Sequence, residues 1–123
     1  MLKLIAILVL SSQLSVAVET DSGWVEKSFP NSPAGAEQLV DFAESSLGAT
    51  PGGVRVTVGR LDDTANLDPI VDFLADAGVK HGLTAPDDIR KAAVAHQVPE
   101  TSAMAVAYAD IARFGFIYRR TPK

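Results

Sequence analysis

Residues 5–18 read IAILVLSSQLSVAV, and the fold turns on how they are taken. The apolar run from Leu4 to Leu10 is unbroken, as in a strand covered on both faces. Ser11 and Ser12 make a turn. From Gln13 to Glu19 the pattern changes: Leu14, Val16 and Val18 alternate with Ser15 and Ala17, the period of a second strand. A rival reading makes residues 1–17 a cleaved secretory signal, with Lys3 as the charged start, Leu4–Leu10 as the apolar segment and Ser15 and Ala17 at the cleavage site. The run is too short for a membrane span, which needs roughly 20 apolar residues.

Working outward, Trp24–Phe29 (WVEKSF) follows an Asp21-Ser22-Gly23 turn and alternates large apolar with charged residues, which predicts a third strand. Ser32 then Pro33 is an N-cap followed by proline at the first helical position. Ala36, Leu39, Val40, Ala43 and Leu47 share a face before Gly48 stops the helix. Val54, Val56 and Val58 alternate with Arg55 and Thr57 as a fourth strand ending at Gly59. A second helix opens at Asp68-Pro69 and stops at Gly78, and Val79–Leu83 is a short fifth strand. A third helix begins at Ala85-Pro86 with Asp87 and Asp88 in its first turn and Ile89, Ala92 and Ala93 inward. After a break at Val98-Pro99, Thr101 or Ser102 caps a fourth helix carrying Met104, Ala107, Tyr108 and Ile111 on one face and ending near Phe114. This order predicts an α/β domain, a mixed sheet with helices on its faces, over residues 1–115, followed by a basic tail at 116–123.

The chain has 123 residues, 47% of them hydrophobic, enough for one packed core. It has no cysteine and two histidines, which excludes disulfide frameworks, thiolate metal sites and an all-histidine zinc site. Carboxylates and hydroxyls are what remains for chemistry. The net charge of −4 is uneven: the acids stop at Asp110, and Arg113, Arg119, Arg120 and Lys123 close the sequence. Ser11, Ser12, Thr57 and Ser102 have no histidine in an activating pattern. His81 reads as a surface residue, and His96 suits the negative end of a helix. Trp24 and Phe29, on opposite faces of one strand, read as packing groups.

Several strings resemble the N-terminal RuvC-like (ribonuclease H fold) domain of the DEDD insertion-sequence transposases, which include the Piv-type DNA invertases. IAILVLSSQLSVAV fits, without a gap, the frame of that family's IGIDVSK strand followed by LDVAV. SFPNSPAGAEQLVDF, residues 28–42, is similar to its FPN-T/S-PAG segment. NLDPIVDFLADAGV, residues 66–79, resembles the helix after its Glu-Ala-Thr-Gly motif, APDDIRKAA (85–93) its Asn-Pro-x-x-Val-Arg helix, and residues 111–114 the ending of its last segment. The resemblance implies a ribonuclease H-like mixed sheet in which a three-stranded meander is followed by alternating helices and strands. It also favours the strand reading of the N-terminus over the signal.

The family's chemistry uses four carboxylates to hold two divalent metals about 4 Å apart. Mg²⁺ demands oxygen ligands, so an apolar residue at a ligand position is no substitute. In the family's frame the aspartate of IGIDVSK falls on Leu8. The glutamate of Glu-Ala-Thr-Gly falls on Leu61, or on Asp62 with a one-residue shift, and the closing aspartate pair falls on Met104 and Ala107. The expectation is a degenerate transposase or recombinase relative without nuclease activity and without a cofactor. What it retains would be weak nucleic-acid binding, to DNA or a guide RNA, through Arg113, Arg119, Arg120 and Lys123, or association with a related transposase or a second copy. No membrane contact and a cytoplasmic location go with that reading. Two alternatives stand beside it: a small exported, secreted or periplasmic protein with no enzymatic role, separable by the mass of its N-terminus, and an active Mg²⁺ nuclease with a displaced site at Asp62, Asp63 and Asp110, Asp62 keeping the catalytic acid.

Overall fold

The computed structural model describes residues 3–47, 54–61, 65–71 and 84–120, with side chains through residue 112 in the last stretch. Strands β1 (Lys3–Val9), β2 (Gln13–Thr20) and β3 (Gly23–Pro30) form an antiparallel meander. Helix α1 (Pro33–Leu47) follows, and then β4 (Val54–Arg60), which runs parallel to β1 on its other side. The sheet order is β3-β2-β1-β4, so β1 is central. A 3₁₀ turn at Asp68–Ile70 stands where the second helix was expected to open. Helices α2 (Pro86–His96) and α3 (Ala103–Arg120) complete the described chain. It is an α/β fold with a four-stranded mixed sheet.

The apolar run at the N-terminus is explained by where it lies: every residue of β1 is buried, because helices cover both faces of the sheet. Ile5, Ile7 and Val9 join Leu14, Val16, Val18, Val56 and Val58 against Ala36, Leu39 and Ala43 of α1. Leu4, Ala6 and Leu8 turn the other way and pack with Ile89 and Ala93 of α2 and Ala103, Ala105, Val106 and Ala107 of α3. Alternation along a strand thus feeds two cores from one sequence. A cut after Ala17 would remove β1 and with it the link between β2 and β4. Among the described residues no helix is long and apolar enough to cross a membrane.

Local chemistry sets the ends of the helices. Ser32 caps α1 through its Oγ, which accepts from Gly35 N at 3.1 Å. α2 starts with proline in its first turn and ends at Gln97, which takes the left-handed conformation (φ 57°) and returns its N–H to Ala93 and Val94. At the start of α3, Ser102 rather than Thr101 is the cap: its Oγ accepts from Met104 N at 3.1 Å and donates to Glu26 Oε2 at 2.6 Å. The same Glu26 oxygen accepts from Ala103 N at 3.0 Å, so a strand residue completes the cap. Trp24 packs on the α2/α3 side and Phe29 on the α1 side against Phe42, which fits their reading as packing groups.

Two expectations change. α3 does not end near Phe114 but continues through Gly115 to Arg120, so most of the stretch read as a tail is helical backbone. One glycine costs about 1 kcal/mol in a helix, too little to stop a segment otherwise made of helix-compatible residues. The expected second helix beyond Val71, the expected fifth strand Val79–Leu83 and His81 lie outside the described residues. Next to that strand, Thr84 makes a parallel bridge with Gly59 and donates its N–H to Val58 O at 2.8 Å.

Gly35 shows how tightly α1 is seated. A Cβ there would collide with the Pro30 carbonyl oxygen, a backbone atom that cannot swing away. At Gly59 the same test meets Ile89 Cδ1 at 2.7 Å, the movable end of a side chain. Gly35→Ala is therefore expected to lower stability by about 3 kcal/mol, the upper end for overpacking, and Gly59→Ala by about 1 kcal/mol. Urea midpoints of the two variants check this; equal losses would mean that α1 can slide to make room.

Candidate functional site

Of the positions that the resemblance assigns to metal ligands, Leu8, Met104 and Ala107 come from β1 and α3, and the remaining one is Leu61, just after β4, or Asp62. Leu8 lies next to the end of β1, opposite Ser15 of β2 and Gly59 of β4. It is fully buried, as is Ala107. Both belong to the core between the sheet and the helices α2 and α3, and Leu61 and Met104 pack against the same core from its edge. Leu8 and Leu61, 53 positions apart in sequence, thus meet Met104 and Ala107 in one apolar cluster.

Hydrocarbon at Leu8, Met104 and Ala107 decides what this cluster can do. A Leu, Ala or Met side chain offers no hard oxygen to Mg²⁺, and closely packed methyl groups leave no room for the ion's water shell. Leu8, Met104 and Ala107 do not fit the ligand positions of a two-metal centre. Asp62 and Asp63 lie outside the described residues. Among the described residues no group of three His, Asp or Glu is placed to hold a metal.

Asp110 has another occupation. Its carboxylate is 4% exposed and takes two hydrogen bonds from Arg55, Nε to Oδ2 at 3.0 Å and Nη2 to Oδ1 at 2.9 Å. This fork-to-fork pairing is the strong geometry for a guanidinium and a carboxylate. The hydrogen bond from Arg55 to Asp110 holds the guanidinium above the usual arginine range against the opposing effect of burial. Arg55 is opposite Leu4 near the start of β1, whereas Leu61, the neighbour of Asp62, follows the far end of β4. Six residues of strand separate them, about 20 Å at 3.3 Å per residue. Asp110 therefore serves as the partner of a buried cation, at the other end of β4 from Leu61.

The remaining candidates sort as follows. Thr57 is buried, its hydroxyl 3.4 Å from that of Thr84, and Ser102 is spent on the α3 cap. Ser11 and Ser12 are exposed in the β1–β2 turn. Arg113, Arg119 and Arg120 lie on the helical backbone of α3, with Arg113 and Arg120 two turns apart on one face, and Lys123 lies outside the described residues. His96, read as a dipole partner, is exposed at the end of α2 and stacks on Tyr108 of α3, ring centroids 3.9 Å apart and planes 8° apart. Neither that stack nor the Arg55–Asp110 pair has a local sequence signal, since each joins residues from separate elements. The chain matches no protein-family model and no curated protein sequence.

Proposed function

We propose that this chain is a ribonuclease H-like, RuvC-like domain related to the DEDD insertion-sequence transposases, in which hydrocarbon has replaced the two-metal centre. It does not cut DNA, and its activity is binding. The partner is nucleic acid met by the basic end of α3, through Arg113, Arg119, Arg120 and Lys123. Four bases on an acidic body make this contact weak and steeply salt-dependent.

The observation that carries this reading is the meeting of Leu8, Met104 and Ala107 at one cluster, with Leu61, the alternative to Asp62 for the fourth position, at its edge. Those positions were picked from motif strings alone, and residues chosen without a shared history have no reason to converge. The sheet adds support. A meander whose first strand then pairs in parallel with the strand after α1, with Thr84 bridged beyond it, is the layout that the resemblance requires.

The test is a thermal-shift titration with Mg²⁺ and Mn²⁺ on the full chain, run beside a plasmid-nicking assay. A ligand held only by the native state raises the melting temperature, by about 2.7 kcal/mol of stabilisation at a hundred times its dissociation constant. The expected shift at 10 mM metal is zero, with no nicking. A rise of several degrees together with nicking would reinstate the nuclease built on Asp62, Asp63 and Asp110.

A further inference from the structure

The described surface holds one feature that the degenerate metal centre does not account for, a groove of about 490 Å³ between α2 and α3. Ala92, Ala95, Ala109 and Ala112 line it, and the His96–Tyr108 stack forms part of its wall. Asp88 and Lys91 also line it, one helical turn apart on α2. The volume lies in the range of small-ligand sites.

We propose that this groove holds one unstacked base of a single-stranded nucleic acid, with His96 as the stacking platform. The inference rests on the reading of the chain as a nucleic-acid-binding domain and names the kind of nucleic acid. His96 is exposed and Tyr108 half-buried, so the imidazole is the outer member of the stack and a further flat ring extends it. Alanine is the side chain that lets such a ring lie close to two helices at once. Asp88 can accept hydrogen bonds only, which suits the amino edge of a base, and Lys91 supplies a cation for the adjoining phosphate. A duplex cannot use the site, because its bases are already stacked on each other.

The test is fluorescence anisotropy at about 50 mM salt with a labelled 12-nucleotide single strand and the same sequence as a duplex. Single-strand binding is expected to be the tighter. His96→Ala should weaken it about tenfold, the scale of one lost base stack, and leave the duplex value unchanged. His96→Tyr should restore it, which a merely structural role for the imidazole would not predict. Because His96 is exposed, the melting temperature of both variants should match that of the parent. Equal affinity for the two forms, or a His96→Ala protein that binds the single strand as well as the parent does, overturns the proposal. If binding then still vanishes on Arg119→Ala/Arg120→Ala, the basic-end reading survives without the groove. A metal-induced shift in the separate titration is what removes the wider reading.

Discussion

A chain carrying Leu8→Asp is expected to be unfolded in dilute buffer at 25 °C. Leu8 has no exposed surface, and its neighbours in the α2/α3 core are Leu4, Ala6, Ile89, Val106 and Ala107, none of which offers a hydrogen-bond donor from its side chain. Removing the leucine contacts alone costs about 2–5 kcal/mol, the range for large-to-small core changes. Burying an unpaired carboxylate adds several kcal/mol more, and a domain of this size has about 5–15 kcal/mol in total. Leu8→Ala separates the two contributions: it should fold, with a lower urea midpoint and an unchanged slope. Far-UV circular dichroism of Leu8→Asp in 10 mM Mg²⁺ completes the experiment. The spectrum should stay that of an unfolded chain, whereas recovery of the native spectrum on adding Mg²⁺ would mean that other carboxylates wait beside Leu8 and that the cluster is a metal centre lacking one ligand.

The second large effect lies at the other end of the sheet. Asp110→Ala should lower the unfolding free energy by about 3–5 kcal/mol, because it removes the carboxylate that takes two hydrogen bonds from a largely buried guanidinium. The Asp110 carboxylate is almost fully buried and the Arg55 side chain is 19% exposed, so little solvent is at hand to replace the lost partner. At roughly 4 °C per kcal/mol for a domain of about 100 residues, the melting temperature should fall by about 12–20 °C. The double variant Arg55→Met/Asp110→Leu should recover most of that loss, since hydrophobic replacement of both members of a buried pair is often close to neutral. A double variant as unstable as Asp110→Ala would show that Arg55 also holds up neighbouring structure. Changing pH across the neutral range should leave the arginine's contribution untouched, because its titration is displaced upward, away from that range.

These two sites differ in how they could be seen in the sequence. Leu8 was legible because it sits in a run whose period and length specify a buried strand, and because a motif frame gave it a number to compare. The same holds for α1, whose Ser32-Pro33 start and apolar face are local properties. Arg55 and Asp110 are 55 positions apart, and a charged residue within a Val-x-Val-x-Val strand looks no different from a solvent-facing one until the helix above it is placed. Glu26 is a similar case: in WVEKSF it reads as an ordinary outward acid, yet it completes the cap of a helix 77 residues away. The end of α3 was misjudged for a different reason. A glycine after an apolar face usually marks a stop, and at Gly115 the helix carries on regardless. Local rules found the elements; the partners of the buried charges depend on how those elements stack.

The central position of β1 also has a meaning in time. β1 finds β2 at once, across a two-serine turn, but its other edge waits for β4, whose Val54 pairs with Lys3. At about 5–20 residues per second on a ribosome, some 3–10 s separate the synthesis of the two strands. Throughout that interval the apolar β1 segment has one row of backbone hydrogen-bonding groups open and one face without its helices. To any factor that samples emerging chains, this strand is an uncovered hydrophobic segment, and only the later arrival of α1, β4 and α3 turns it into the middle of a folded sheet.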